Sequence, residues 1–354
     1  MNPTDAETLA RRRPKVLLHE HLDGGLRVAT LRELALARGL PLPAADEAGL
    51  ADWFDANAHA GSLEKYLEGF ALTVAAMAPP EALRRVAREA ADDAADHGVV
   101  LAEFRIAPLL FEAHGVPGEA VVEALLAGLK RSALPSGLLI CGMRQLPESE
   151  TARAAELALK YRAQGVVGFD LAGPEFGFPP GKHARVLQRL REAGLPLTLH
   201  AGEADGPERV MEAIELGATR IGHGVQLVQA LNDPARAAWV ERVRERGVHL
   251  EVCPGSNVHT GAATSIASHP ITALWQAGVS LSYHTDNRLI SCVTQSEEAA
   301  ALLAHTELEE IDLLAMATEA ARHAFLPEAQ RDAALETIAL FSAPRLPPVP
   351  VVRV

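Results

Sequence analysis

The chain has 354 residues, 48% of them hydrophobic, and a formal net charge of −13. That acidic balance, with a pI of about 5.5, excludes a general nucleic-acid binder, which needs a basic face. No run of about 18 uncharged apolar residues occurs, so no membrane span is expected; the length is ordinary for one α/β barrel with insertions.

The basic cluster Arg11–Arg13 leads into no apolar h-region, so no signal peptide is read, and the cluster reads as a solvated entry to the first strand. Strand-like runs then alternate with helix-like runs. Strands are expected at Lys15–Leu18, Val99–Arg105, Gly137–Cys141, Val166–Leu171, Leu197–Leu199, Arg220–Gly222, His249–Val252 and Val279–Tyr283. The spacing of Leu83, Val86, Ala87 and Ala90 predicts an amphipathic helix over Pro80–His97. A second helix, Ala184–Ala193, ends at Gly194. Eight alternations without a GxGxxG after the first strand favour a (β/α)8 TIM barrel over a doubly wound open sheet. Residues 27–78 are too long for one crossover and should form extra helices between strands one and two, over the barrel mouth. There Trp53, Phe54 and Phe70 either line a lid or glue those helices together. Residues 307–342 read as helical, and 343–354 as a Pro-rich tail that wraps the surface or moves. With no repeat or linker, one domain is expected over 1–354. The three cysteines (Cys141, Cys253, Cys292) form no CxxC, which fits a reducing cytoplasm.

In such a barrel, chemistry sits where strands end at the C-terminal face. After strand one stands His19-Glu20-His21, whose i and i+2 imidazoles can face one metal. After strand five comes His200-Ala201-Gly202-Glu203, after strand six His223, and after strand eight Asp286. Core histidines would scatter; these fall on one face. Imidazoles with one carboxylate suit zinc, which lowers the pKa of water it binds to about 7. Glu203, three residues from His200, is placed to supply a proton to the leaving group, and His223 to hold or deprotonate the water. His97, His114, His183, His249, His269, His305 and His323 read as surface or structural. Ser256 and Asn257 either touch substrate or cap the next segment, and Glu103 and Arg105 suggest a buried ion pair bracing the barrel.

The stretches Pro14–Gly24, His200–Glu203, Arg220–Gly224, Cys253–Asn257 and Ser280–Asp286 together resemble the adenosine deaminase family of the amidohydrolase superfamily, over about residues 14 to 330. The resemblance implies one zinc per chain, held by His19, His21, His200 and Asp286. It implies that Glu203 protonates purine N1, making C6 electrophilic, and that His223 orients the attacking water. Gly173 would meet N3 through its backbone and Asp23 a ribose hydroxyl. One position departs: the family commonly has two aspartates after strand eight, and this chain has Asp286-Asn287. An asparagine amide donates to the acceptor N7 without needing protonation, so Asn287 should preserve purine recognition.

The implied reaction is hydrolytic deamination of adenosine, and of 2′-deoxyadenosine, to inosine and ammonia in purine salvage. Free adenine and aminodeoxyfutalosine are the alternative substrates, and the expected partner is a small purine nucleoside, with no nucleic acid and no membrane. Oligomeric state is not legible. A carboxylated-lysine dinuclear centre is disfavoured, because none of the five lysines (15, 65, 130, 160, 182) stands at the end of strand four. The cysteine-ligated nucleobase deaminases need HxE and PCxxC, whereas Cys253-Pro254 reverses that order. A non-catalytic binding protein would be free to lose Glu203 or His223, and both are present.

Overall fold

The computed structural model describes residues 10–59 and 63–342, with backbone alone for 63–68 and 342; the Pro-rich tail lies outside the described residues. Eight parallel strands follow chain order: β1 (Lys15–His21), β2 (Val99–Ile106), β3 (Ser136–Met143), β4 (Val166–Ala172), β5 (Thr198–Ala201), β6 (Arg220–His223), β7 (His249–Val252) and β8 (Leu281–Tyr283). They form two four-stranded ladders, β1–β4 and β5–β8. Isolated bridges join the ladders at both seams, Phe169 with Leu197 and Glu20 with Asp286. The second half has strands of only three or four residues, which leaves little length for pairing at the seams. β1 extends three residues beyond its expected end and breaks register against β2 between Leu17 and Glu20.

Crossover helices cover the outside. In the helix Pro80–Asp96, Leu83, Val86, Ala87 and Ala90 are all buried, as their 3.6-residue spacing requires. The insertion forms three helices, Val28–Ala37, Glu47–Ala58 and Leu63–Met77. Phe54 is 1% exposed and lies edge-on to Trp53. A Cβ on Gly69 would come within 2.9 Å of its ring and 2.8 Å of Ile290. Phe54 is therefore packing between insertion helices, and Trp53 and Phe70 lie partly buried against the same core. The C-terminal helices Glu310–His323 and Glu328–Ser342 seal β1 and β2 through Leu314, Ala317, Ala321 and Ile338. This packing corrects the reading of the basic cluster. Arg13 is buried and paired with Glu310 at 2.7 Å, leaving only Arg11 and Arg12 exposed.

The bore of the barrel is ionic. Phe104, Leu199, Ile221, Leu250 and Leu281 point outward into the aliphatic core. The alternate positions carry charge inward, because successive strand side chains face opposite sides. Arg105 pairs with Asp170 and Glu251, each at 2.6 Å, and Arg220 with Glu251 at 2.6 Å and Glu103 at 2.7 Å. Glu103 and Arg105 thus brace the barrel, but each reaches across it to other partners. Thr198 donates to Glu251 at 2.9 Å. Leu326 N–H donates to Glu103 at 3.1 Å. Buried charges persist where each is paired and hydrogen-bonded, and here the same network reaches His19 through Glu251.

Candidate active site

His19 and His21 emerge on one side of β1, with ring centroids 5.4 Å apart. Glu20 between them turns away, accepting from the Thr285 hydroxyl at 2.9 Å. His200 stands on β5 and His223 ends β6. Asp286 follows β8, its Oδ1 3.2 Å from His19 Nε2 and 3.5 Å from His21 Nε2. The backbone is strained where the site is built. His223 (φ 64°) and Asp286 (φ 59°) are two of three non-glycine residues with positive φ among those described, a conformation costing about 1–3 kcal/mol each.

One ligating atom each from His19, His200, His223 and Asp286 lies within 4.8 Å of the others. That tight group contains His223 in place of the expected His21. His21 is nevertheless adjacent, with Nε2 3.3 Å from His200 Nε2, so five groups converge.

Their outer partners differentiate them. Glu251 lies 3.0 Å from His19 Nδ1, and Asp170 2.9 Å from His200 Nδ1. A carboxylate there fixes the proton on Nδ1 and leaves the Nε2 lone pair facing the centre. His19 Nε2 is buried with no hydrogen-bond partner among the described residues. His223 differs: its Nδ1 accepts from the Asn257 amide at 3.0 Å, which puts the proton on Nε2, 3.5 Å from Glu203 Oε2. Ser256 donates to Asp286 Oδ2 at 2.6 Å. Ser256 and Asn257 therefore hold site residues. Burial pushes the His21 pKa well below its usual value. Burial opposes ionisation of Asp286, but the imidazoles of His19, His223 and His21 outweigh it and hold this carboxyl well below its ordinary range. Inward-facing imidazole nitrogens, an ionised carboxylate and a buried Nε2 with no hydrogen-bond partner among the described residues fit a divalent metal ion.

Around this group, Glu203 Oε1 accepts from the Thr260 hydroxyl at 3.0 Å. Asp23 is buried beside His21, its Oδ1 4.0 Å from His21 Nδ1 and without a hydrogen-bond partner among the described residues; burial raises its pKa to about 7. Gly173 follows β4 at φ +97°, and a Cβ there would lie 2.4 Å from Gln145 Oε1, so only glycine fits. Asn287 is buried over Gly24, where a Cβ would come 2.4 Å from its Oδ1.

Sequence reasoning missed Asp170, Glu251 and Thr260. The signal for the first two was a charged residue on the inward parity of an otherwise apolar buried strand. Thr260, in the turn after Pro254–His259, carried none.

A (β/α)8 barrel with this histidine and aspartate set at its C-terminal face defines a hydrolase of the amidohydrolase superfamily. The family model described as adenosine deaminase matches residues 14–340. An adenosine deaminase of Mycobacterium ulcerans is 43% identical over 313 residues, covering 83% of this chain and 86% of that one. The crystal structure of an adenine deaminase from Arthrobacter aurescens superposes with TM-score 0.82 at 25% identity, over 93% of this chain and 99% of that one. An amidohydrolase from Burkholderia ambifaria with bound Zn gives TM-score 0.84 at 23% identity, over 96% and 94%. The chain belongs to the adenosine deaminase family and is a hydrolase acting on C–N bonds.

Proposed function

We propose that this chain deaminates adenosine, and 2′-deoxyadenosine, to inosine and ammonia with one zinc ion, serving purine salvage in the cytoplasm. The observation that carries it is the division of labour among the converging groups. His19 and His200 offer carboxylate-backed lone pairs, whereas His223 keeps a proton on Nε2 beside Glu203. On that basis His19, His200 and Asp286, with His21 beside them, would hold the metal, and His223 would face the water. Zinc bound there would lower the pKa of its water to about 7.

Glu203 donates a proton to purine N1, drawing electron density from C6. Water oxygen bonds to C6 while His223 orients it, and Glu203 returns the water's proton to the exocyclic nitrogen. The C6–N bond then breaks and ammonia leaves, and the remaining hydroxyl proton passes to the Glu203 carboxylate as C6 becomes a carbonyl, restoring the acid. Thr260 holds the Glu203 carboxyl in line. The buried Asp23 carboxyl, whose pKa burial raises to about 7 and whose Oδ1 makes no hydrogen bond among the described residues, suits a ribose hydroxyl, the Gly173 backbone N3, and the Asn287 amide N7.

The Asp23 position favours a nucleoside over free adenine, and the 43% relative carries the adenosine name. Ammonia release from adenosine, 2′-deoxyadenosine, adenine and aminodeoxyfutalosine tests the reading. The nucleosides should turn over fastest, and preference for adenine or aminodeoxyfutalosine would overturn the substrate assignment.

A further inference from the structure

The loop Gly202–Asp205 carries Glu203 from the end of β5 to the helix Pro207–Glu215. Four successive amides of this loop converge on one side chain. Glu175 Oε1 accepts from Gly202 N at 2.5 Å; its Oε2 accepts from Glu203 N at 2.9 Å, Ala204 N at 2.8 Å and Asp205 N at 3.1 Å. Glu175 is 5% exposed and comes from a different strand end, two residues beyond Gly173. Successive amides turned to one side form an anion-binding concavity, and a carboxylate in it makes charge-assisted bonds.

The opposite side of the loop is held as well. The Gly202 carbonyl accepts from Gln226 N at 2.9 Å and the Glu203 carbonyl from Gln226 Nε2 at 3.1 Å. Gly202 itself sits at φ +68°, where a Cβ would be 2.5 Å from Val210. Buried Arg144, beyond β3, donates to the carbonyls of Leu171 and His200, tying the β4 end to the β5 end. The backbone of Glu203 is thus fixed from β4 through Glu175, while its carboxyl is fixed from the turn at Thr260.

We infer that Glu175 is a positioning residue for the proton-transfer step: its carboxylate locks the backbone of Gly202–Asp205 so that the Glu203 carboxyl is aimed at the substrate. This inference rests on Glu203 acting as the acid–base group of the proposed deamination. Glu175 touches neither substrate nor the metal group; it acts through Glu203. A displacement of about 1 Å in such a group costs on the order of 100-fold.

The test is Glu175→Gln, which keeps the size but replaces one accepting oxygen with a donor facing donors. Expected is a fall in kcat for adenosine of about 10- to 100-fold with KM within about threefold, and unchanged metal content. In a Glu203→Gln background the same substitution should add less than about threefold, because its route is already removed. Hydrogen exchange of the wild-type amides of residues 202–205 should show protection; exchange at open-loop rates overturns the clamp, as does full multiplication of the two losses. Should Glu175→Gln fail to fold, Glu175→Asp, which keeps the charge one methylene short, is judged by the same kcat against KM split. Protected amides with unchanged kcat in a folded variant overturn the positioning role. A wild-type chain with protected amides but no activity on any adenine compound overturns the deaminase reading instead.

Discussion

Asn287 stands directly after Asp286, packed over Gly24 beside Asp23, so its amide is held at the barrel mouth. Its proposed contact is directional: N7 only accepts and the amide donates at any pH near neutral. An adenosine analogue with carbon at position 7 should lose about 1–3 kcal/mol, roughly tenfold to a hundredfold in kcat/KM. Asn287→Leu should lose as much on adenosine yet little more on the analogue; losses that multiply would remove N7 from its contacts. Glu203→Gln is the harsher exchange. The amide cannot cycle a proton, so turnover should fall by about 10²–10⁴-fold or more while fold and metal content persist. A near-normal rate would take Glu203 out of the mechanism.

β7 contributes more to the site than its four residues suggest. Glu251 touches His19, Arg105, Arg220 and Thr198 at once. Glu251→Gln leaves two buried guanidiniums short of charge, a loss of about 3–5 kcal/mol. It also weakens the Nδ1 partner of His19, expected to cost about 10–100-fold in metal affinity. Urea denaturation and competition with a chelator measure the two separately, and a variant as stable as the parent would show the network to be dispensable. The helix Gln295–His305 carries a second buried carboxyl. Burial raises Glu298 to about 8, with Asp286 and Glu297 adding to it and the Gly255 amide opposing. A folded-state pKa above the unfolded one means that the native chain binds the extra proton. Stability from this group is full below pH about 4.5 and is lost as pH rises through about 8, by up to about 5 kcal/mol. Glu298→Gln should therefore be more stable than the parent at pH 9 and similar at pH 4.5; equal denaturation midpoints at pH 9 would show that the native fold does not raise the pKa of this carboxyl.

Across the whole molecule, the proposed zinc would join β1, β5 and the residue after β8, spanning both ladders. The β8–β1 seam is closed by one bridge, so the metal would reinforce the barrel where its ladder is thinnest. Metal analysis should find one equivalent per chain; two equivalents, with activity tracking the second, would sink the mononuclear scheme. At free zinc about 1,000 times its Kd, binding adds roughly 4 kcal/mol, so chelation should lower the thermal midpoint as well as abolish turnover.

The parity of His19 and His21 and the periodicity of Pro80–Asp96 are local properties. Strand and helix geometry alone converts them into a common side or face, which is why the barrel, the strand ends and the set of converging side chains were legible in the sequence. The division of roles within that set was not. Glu251 is 232 residues from His19, and Asp170 is 30 from His200; only barrel closure brings each to its imidazole. The same holds for Arg13 meeting Glu310, for Asn257 turning the His223 proton inward, and for Glu175 gathering four amides of another strand's loop. Sequence determined which groups face the centre because backbone alternation is a near-neighbour effect. Tertiary structure decided how each is protonated, aimed and held, because hydrogen bonds and ion pairs depend on distances that the chain sets only when it closes on itself.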